Sequence, residues 1–121
     1  MQTVIVTGGA GFLGSNLCSR LLNDGYSVVC IDNLKTGIHK NIEPFLTHDH
    51  FRFIDFDVTQ PLHPGLTAHA VFHLASPASP NYHSPISYHA LPMETMLVNT
   101  QGTLRLLEFA EKQHASFLFA S

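Results

Sequence analysis

Charge is scarce in this chain: 12% of its 121 residues are Asp, Glu, Lys or Arg, while 45% are hydrophobic. That balance excludes a disordered or strongly solvated tail and predicts elements buried on both faces. Basic residues are few, six Lys and Arg against nine Asp and Glu, and they are scattered. No basic stripe is therefore available to a nucleic-acid backbone, and no nucleic-acid partner is expected. No apolar run is long enough to span a bilayer, and residues 1–15 lack the basic segment of a signal peptide. No membrane partner is expected, and the cytoplasm is the expected compartment. Only two cysteines occur, Cys18 and Cys30, both beside apolar residues. They predict reduced core thiols rather than a disulfide. Repeats and low-complexity linkers are absent, and the length suits one domain with a core of its own.

What the sequence does have is an alternation of two periods. Thr3 to Thr7, TVIVT, is a short β-branched run that predicts a buried strand. From Gly11 to Asp24 the spacing turns helical, with Leu13, Leu17 and Leu21 on one face, Cys18 and Leu22 beside them, and Gly25 as the stop. The runs SVVCID (Ser27 to Asp32), FRFIDF (Phe51 to Phe56), AVFHLA (Ala70 to Ala75) and SFLFA (Ser116 to Ala120) predict further strands. Asn33 to Gly37 is turn-like, and Asn41 to Thr47 predicts a short helix. The prolines between Ser76 and Pro92 forbid a regular helix over the first half of that stretch, whereas Pro92 suits the first position of a long one. Met93, Met96, Leu97, Leu104 and Leu107 are its predicted buried stripe. Gly102 costs such a helix about 1 kcal/mol relative to Ala, which predicts a close neighbour there. Buried strands alternating with helices predict an α/β fold, a Rossmann-type doubly wound parallel sheet of order 3-2-1-4-5.

The glycines of VTGGAGFLGSNL, Val6 to Leu17, fall at the turn from the first strand into the first helix. They read as G-x-G-x-x-G at Gly9, Gly11 and Gly14, or as T-G-x-x-G-x-x-G from Thr7 through Gly8, Gly11 and Gly14. Either way the first glycine permits a tight turn, Gly11 lets backbone approach a pyrophosphate, and Gly14 lets the helix pack close to the strand. The helix N-terminus then offers free N–H groups and partial positive charge to phosphates. On the glycines alone, an ordinary strand-to-helix turn is the alternative. Asp32 favours the dinucleotide: it ends the second strand eighteen residues after Gly14, where an acid binds the adenosine ribose. Its carboxylate repels a 2′-phosphate, so NAD is preferred to NADP, with Lys35 nearby pulling the other way. No G-K-[S/T] follows the glycines, which excludes a nucleoside-triphosphate P-loop. Val6 and Thr7 stand where a methyltransferase usually carries an acid.

Together these residues resemble the extended short-chain dehydrogenase/reductases, the NAD-dependent sugar-nucleotide epimerase/dehydratase group. The resemblance runs over essentially the whole chain and implies an NAD-binding Rossmann domain at residues 1–121. TGGAGFLGSNL resembles the family's glycine turn, which assigns Gly8, Gly11, Phe12 and Leu13 to the cofactor. CIDNLKTG resembles its ribose segment, with Asp32 and Asn33 on the adenosine and Thr36 and Gly37 nearby. DFDVTQP resembles the adenine segment, implying roles for Asp57 and the Val58 backbone. VFHLAS resembles the fourth-strand motif, with Leu74, Ala75 and Ser76 on the nicotinamide half. VNTQGTLRLLEFA resembles the Asn-x-x-Gly-Thr helix, which puts Asn99 near the active-site backbone. Within the group, the Ser76 to Pro80 turn and the terminal FLFAS resemble UDP-glucuronate decarboxylases. The resemblance implies a nucleotide-sugar substrate, oxidation at C4, loss of CO₂ from the resulting β-keto acid and re-reduction by the same cofactor. For the full-length enzyme it also implies a homodimer built on the long helix.

The family's base is a Tyr-x-x-x-Lys pair. Tyr26, Tyr82 and Tyr88 have no lysine four residues later, and no catalytic residue is assigned here. The chain reads as the N-terminal, cofactor-binding part of such an enzyme, without the substrate domain and without turnover of its own. Ser121 matches the family's strand-end serine. A fifth strand without its next neighbour would be an exposed apolar edge. The alternative from another class is a non-catalytic dinucleotide-binding sensor module. Among the nine histidines, His48 to His50 form the best cluster, but no third ligand stands at metal-site spacing, and no metal is expected. His73 reads as a structural strand-end imidazole, and Arg105 and Glu108 as the solvated or partner-facing side of the long helix.

Overall fold

A computed structural model describes residues 1–76, 81, 83–87 and 89–120. Five parallel strands, β1 (Thr3–Thr7), β2 (Ser27–Asp32), β3 (Phe51–Asp55), β4 (Ala70–His73) and β5 (Ser116–Phe119), form one sheet of order β3-β2-β1-β4-β5. The expected topology is therefore observed, and β1 sits where the winding reverses. The strands read well because a strand covered on both faces is a nearly continuous apolar run. Successive side chains go to opposite faces, so Val4 and Val6 of β1 join Val28 and Cys30 of β2 on one side, while Ile5, Val29 and Ile31 face the other. β3 and β4 stop one and two residues earlier than expected. Leu74 nevertheless donates its N–H to the Thr7 carbonyl at 3.1 Å, so the pairing outlasts the strand.

Helix α1 (Phe12–Asn23) covers the first face through Cys18, Leu21 and Leu22. Leu13 does not join them: it is 70% exposed, because it stands in the first turn, ahead of the point where α1 meets the sheet. The helix predicted over Asn41 to Thr47 is instead two single 3₁₀ turns, His39–Asn41 and Glu43–Phe45. Pro44 lacks the N–H that a continuous helix would need.

The long helix begins at Pro92 as expected, but it is α2 (Pro92–Leu97), a π turn (Val98–Gly102) and α3 (Thr103–Gln113) in succession. Its predicted buried stripe is the outward face. Met93, Met96, Leu97, Leu104 and Leu107 are all exposed, whereas Gly102, Leu106 and Ala110 are buried. The helix carries two apolar faces, and the one with small residues lies against the sheet. A Cβ on Gly102 would come 3.1 Å from Val58 Cγ2, the close neighbour that this glycine foretold. Arg105 is also redirected. It is half-buried, and its Nε donates to the Thr59 carbonyl at 2.7 Å, alongside Gln101 Nε2 at 2.9 Å. Glu108 is exposed as expected.

Strand β5 is a sheet edge with Leu118 and Phe119 exposed. Cys18 and Cys30 are free, buried thiols, as expected. Hydrogen bonding to Cys18 and burial push the Cys30 thiol far up, which holds it protonated. Among the described residues no helix is long and apolar enough to cross a membrane.

Candidate functional site

A cleft of about 240 Å³ opens at the C-terminal ends of the strands, at the point of reversal beside β1. Doubly wound sheets bind ligands there because the loops diverge to opposite faces. Each loop delivers part of the wall: Gly8 after β1, Asp32, Asn33 and Thr36 after β2, Asp57 and Val58 after β3, and Leu74, Ala75 and Ser76 after β4. Nine of the sequence-predicted positions thus converge on one space. Gly11, Phe12, Leu13, Gly37 and Asn99 do not line it.

The glycine turn is held by backbone geometry. Gly8 has φ +73°, and a Cβ there would lie 2.7 Å from the Leu74 carbonyl. Gly11 caps α1 with no side chain, and the first intrahelical bond runs from the Ser15 N–H to the Gly11 carbonyl at 2.9 Å. The amides of Phe12, Leu13 and Gly14 precede it and have no intrahelical acceptor. Phe12 is 78% exposed and Leu13 70%, so the first turn of the helix carries its apolar side chains toward solvent.

Asp32 is buried, and both its oxygens receive backbone N–H groups: Oδ2 from Ala10 at 3.0 Å and Oδ1 from Leu34 at 2.7 Å. One carboxylate thus ties the glycine turn to the loop after β2. Each oxygen keeps a further lone pair, two acceptor sites in all, on a residue that lines the cleft. The bond to Leu34 holds that residue at φ +61°, a left-handed conformation that costs a leucine on the order of 1 kcal/mol. A Cβ on Gly37 would press to 2.8 Å from Asp32 Oδ2, so Gly37 acts by leaving room for the carboxylate. Asp57 accepts from the Thr59 N–H and hydroxyl through Oδ1, at 2.9 and 2.8 Å, which fixes its loop.

Sequence reasoning missed Ile31, Phe56, Thr59, Glu94, Leu97 and Val98 in the wall. The first three adjoin recognised positions. The last three come from α2 and the π turn, whose approach no local pattern announces. Lys35 shares the rim with Asp32, as its spacing suggested. His73 lies just beneath, buried, and burial pushes its pKa below 6.5. Among the described residues no three His, Cys, Asp or Glu side chains are placed to hold a metal. Of the Ser76 to Pro80 turn only Ser76 is described. Tyr82, Tyr88 and Ser121 also lie outside the described residues.

The residues present fit a dinucleotide: free amides at a glycine-capped helix, a carboxylate with open acceptor sites, and a turn that a Cβ would obstruct. Comparison with known proteins agrees. UDP-glucuronic acid decarboxylase 1 of Danio rerio is 41% identical over 120 residues, covering 99% of this chain and 27% of that protein. UDP-glucuronic acid decarboxylase 6 of Arabidopsis thaliana is 39% identical over 119 residues, 98% of this chain and 33% of that one. This chain thus spans about a quarter to a third of the length of these relatives. Among solved structures, the UDP-glucose 4-epimerase of Thermotoga maritima with UDP-glucose superposes with TM-score 0.77 at 30% identity, over 98% of this chain and 37% of that one. The Bordetella bronchiseptica enzyme WbmG in complex with NAD and UDP gives 0.76 at 27% identity, over 96% and 36%. With residues 4–121 matching its family model, the chain belongs to the NAD dependent epimerase/dehydratase family.

Proposed function

We propose that this chain is the cofactor-holding part of a nucleotide-sugar enzyme of the UDP-glucuronate decarboxylase kind. It binds NAD along the C-terminal edge of the sheet and does not turn substrate over by itself. Asp32 is the observation that carries the cofactor reading, because a buried carboxylate with open acceptor sites beside a glycine-capped helix suits a ribose next to a pyrophosphate. The Phe12 and Leu13 amides hold the pyrophosphate, and Gly8 and Gly11 let backbone come close. Asp32 accepts from the ribose hydroxyls, flanked by Asn33 and Thr36, with Gly37 making room. Asp57 and the Val58 backbone hold the adenine. Leu74, Ala75 and Ser76 form the nicotinamide side, with Asn99 near the reacting centre. Bound NAD supplies a reversible acceptor for a hydride from the sugar ring.

Identity of 41% to a UDP-glucuronic acid decarboxylase supports the substrate class. The want of a Tyr-x-x-x-Lys pair in these 121 residues supports the lack of turnover, since no described group stands as the base. Calorimetric titration tests the first part: NAD binds, and NADP binds more weakly because Asp32 repels its 2′-phosphate. No heat even at millimolar NAD overturns the cofactor reading. Incubation with UDP-glucuronate and NAD tests the second. No CO₂ is expected, and its release refutes the claim that the chain lacks its base.

A further inference from the structure

His73 sits at the end of β4, 1% exposed, with both ring nitrogens engaged. Nε2 lies 3.2 Å from the Val98 carbonyl, and Nδ1 lies 2.7 Å from the Thr7 hydroxyl. A carbonyl only accepts, so the hydrogen is on Nε2. In a neutral ring Nδ1 then accepts, and the Thr7 O–H donates to it. The two remaining lone pairs of that hydroxyl take the N–H of Leu74 at 3.1 Å, which is shared with the Thr7 carbonyl at 3.1 Å, and the N–H of Ala75 at 3.2 Å. Every donor and acceptor in the set is used.

The partners are parts of the cleft. Leu74 and Ala75 line one wall and Val98, in the π turn, lines another. Gly8, which follows Thr7, is pressed against the Leu74 backbone. We infer that His73, neutral with its hydrogen on Nε2, is a positioning residue that fixes these walls relative to each other, and that cofactor affinity falls when the ring is protonated. The inference rests on the NAD reading above. Protonation places a third donor, Nδ1–H, against an oxygen with two lone pairs and leaves the Thr7 hydroxyl hydrogen without an acceptor. One of the two amide bonds to that oxygen must then be released: Leu74 keeps the Thr7 carbonyl as acceptor, whereas Ala75 loses the hydroxyl that holds it. The groups that face the ring are Thr7 on β1, Val98 in the π turn, and Phe117 and Phe119 on β5, with ring centroids 6.4 and 5.6 Å away. None of these is charged or titrates near neutrality, so the Nδ1–H would meet no anion among them. Burial, which pushes the pKa down, acts in the same direction.

Nitrogen NMR of the ring, amide exchange at Leu74 and Ala75, and NAD calorimetry, all from about pH 8 to about pH 5, test this on the whole chain. The variant His73→Asn serves as control, since its Oδ1 can replace Nδ1 as acceptor and cannot be protonated. The expected results are hydrogen on Nε2 alone at neutral pH and loss of Ala75 protection in the step that protonates the ring, with Leu74 still protected by the Thr7 carbonyl. NAD affinity should fall up to about tenfold per pH unit below that step. In His73→Asn, binding is weaker and the step is missing. Hydrogen on Nδ1 at neutral pH, ring protonation that leaves the Ala75 amide unchanged, or an unaltered step in His73→Asn each overturns the proposal. If the variant does not fold, the wild-type measurements decide alone. Failure of NAD to bind at any pH refutes the cofactor reading, while tautomer and amide exchange still judge the role of His73.

Discussion

Asp32 holds two loops with one side chain, and that separates its effects on stability and on binding. Removing it leaves the Ala10 and Leu34 amides without their acceptor, a loss of about 1–3 kcal/mol in a buried place. Gly25 provides the comparison. Its φ of +90° makes alanine strained, yet nothing lies within 4 Å of the new Cβ and the residue is remote from the cleft. Asp32→Ala is expected to weaken NAD by about tenfold or more, the worth of a hydrogen bond to a charged group. Gly25→Ala should lower stability and leave affinity unchanged. Calorimetry on the two variants, below their melting temperatures, reads the difference; equal losses of affinity contradict the ribose role. His73 supplies a pH test. Its folded pKa lies below its unfolded value of 6.5, so the unfolded chain binds the proton more readily. Its contribution to stability is present above that value and is lost as pH falls through the lowered folded pKa. Urea midpoints should therefore drop as pH falls below about 6.5, and less steeply in His73→Asn.

The long helix is where pattern and packing disagree. A heptad-like apolar stripe marks one face, but the sheet accepts the other, where Gly102 and Ala110 let the backbone come close and Leu106 fills the gap beneath. Leu106→Ala is expected to cost about 2–5 kcal/mol in chemical denaturation, as a fully buried truncation does. Leu104→Ala, on a residue 56% exposed, should stay within about 0.5 kcal/mol. Equal costs would mean that the helix is rotated from the arrangement described. The sequence marked the start of this helix at Pro92 and its tight spot at Gly102. It did not reveal that Arg105 and Gln101 reach the Thr59 carbonyl, because those bonds span 46 and 42 residues of chain.

Across the whole molecule, the same helix leaves Met93, Met96, Leu104 and Leu107 outward, and β5 adds Leu118 and Phe119 at the sheet edge. Exposed apolar surface of that extent and an unpaired edge both favour association. Sedimentation at increasing concentration should show the chain self-associating. The double variant Leu104→Glu and Leu107→Glu should shift it toward monomer without loss of folding, since neither side chain is buried. An unchanged distribution in the double variant would place the contact elsewhere.

Strand identity, sheet order, the glycine turn and the acid at Asp32 were all legible in the sequence. Buried parallel strands are unbroken apolar runs, and a turn that forbids side chains must be written in glycine. The sheet order follows from the alternation of buried strands with helices, and the others are local demands, met by residues near one another in the chain. Tertiary structure alone decided which apolar face of the long helix is inside, because helical periodicity is equally satisfied by either and only contact with the sheet selects the one with small residues. It also decided that Leu34 is held left-handed, that Val98 turns its carbonyl to His73, and that Glu94, Leu97 and Val98 close the cleft. Each of those depends on groups brought together from distant parts of the chain or on a side chain's final direction, which no spacing along the chain encodes.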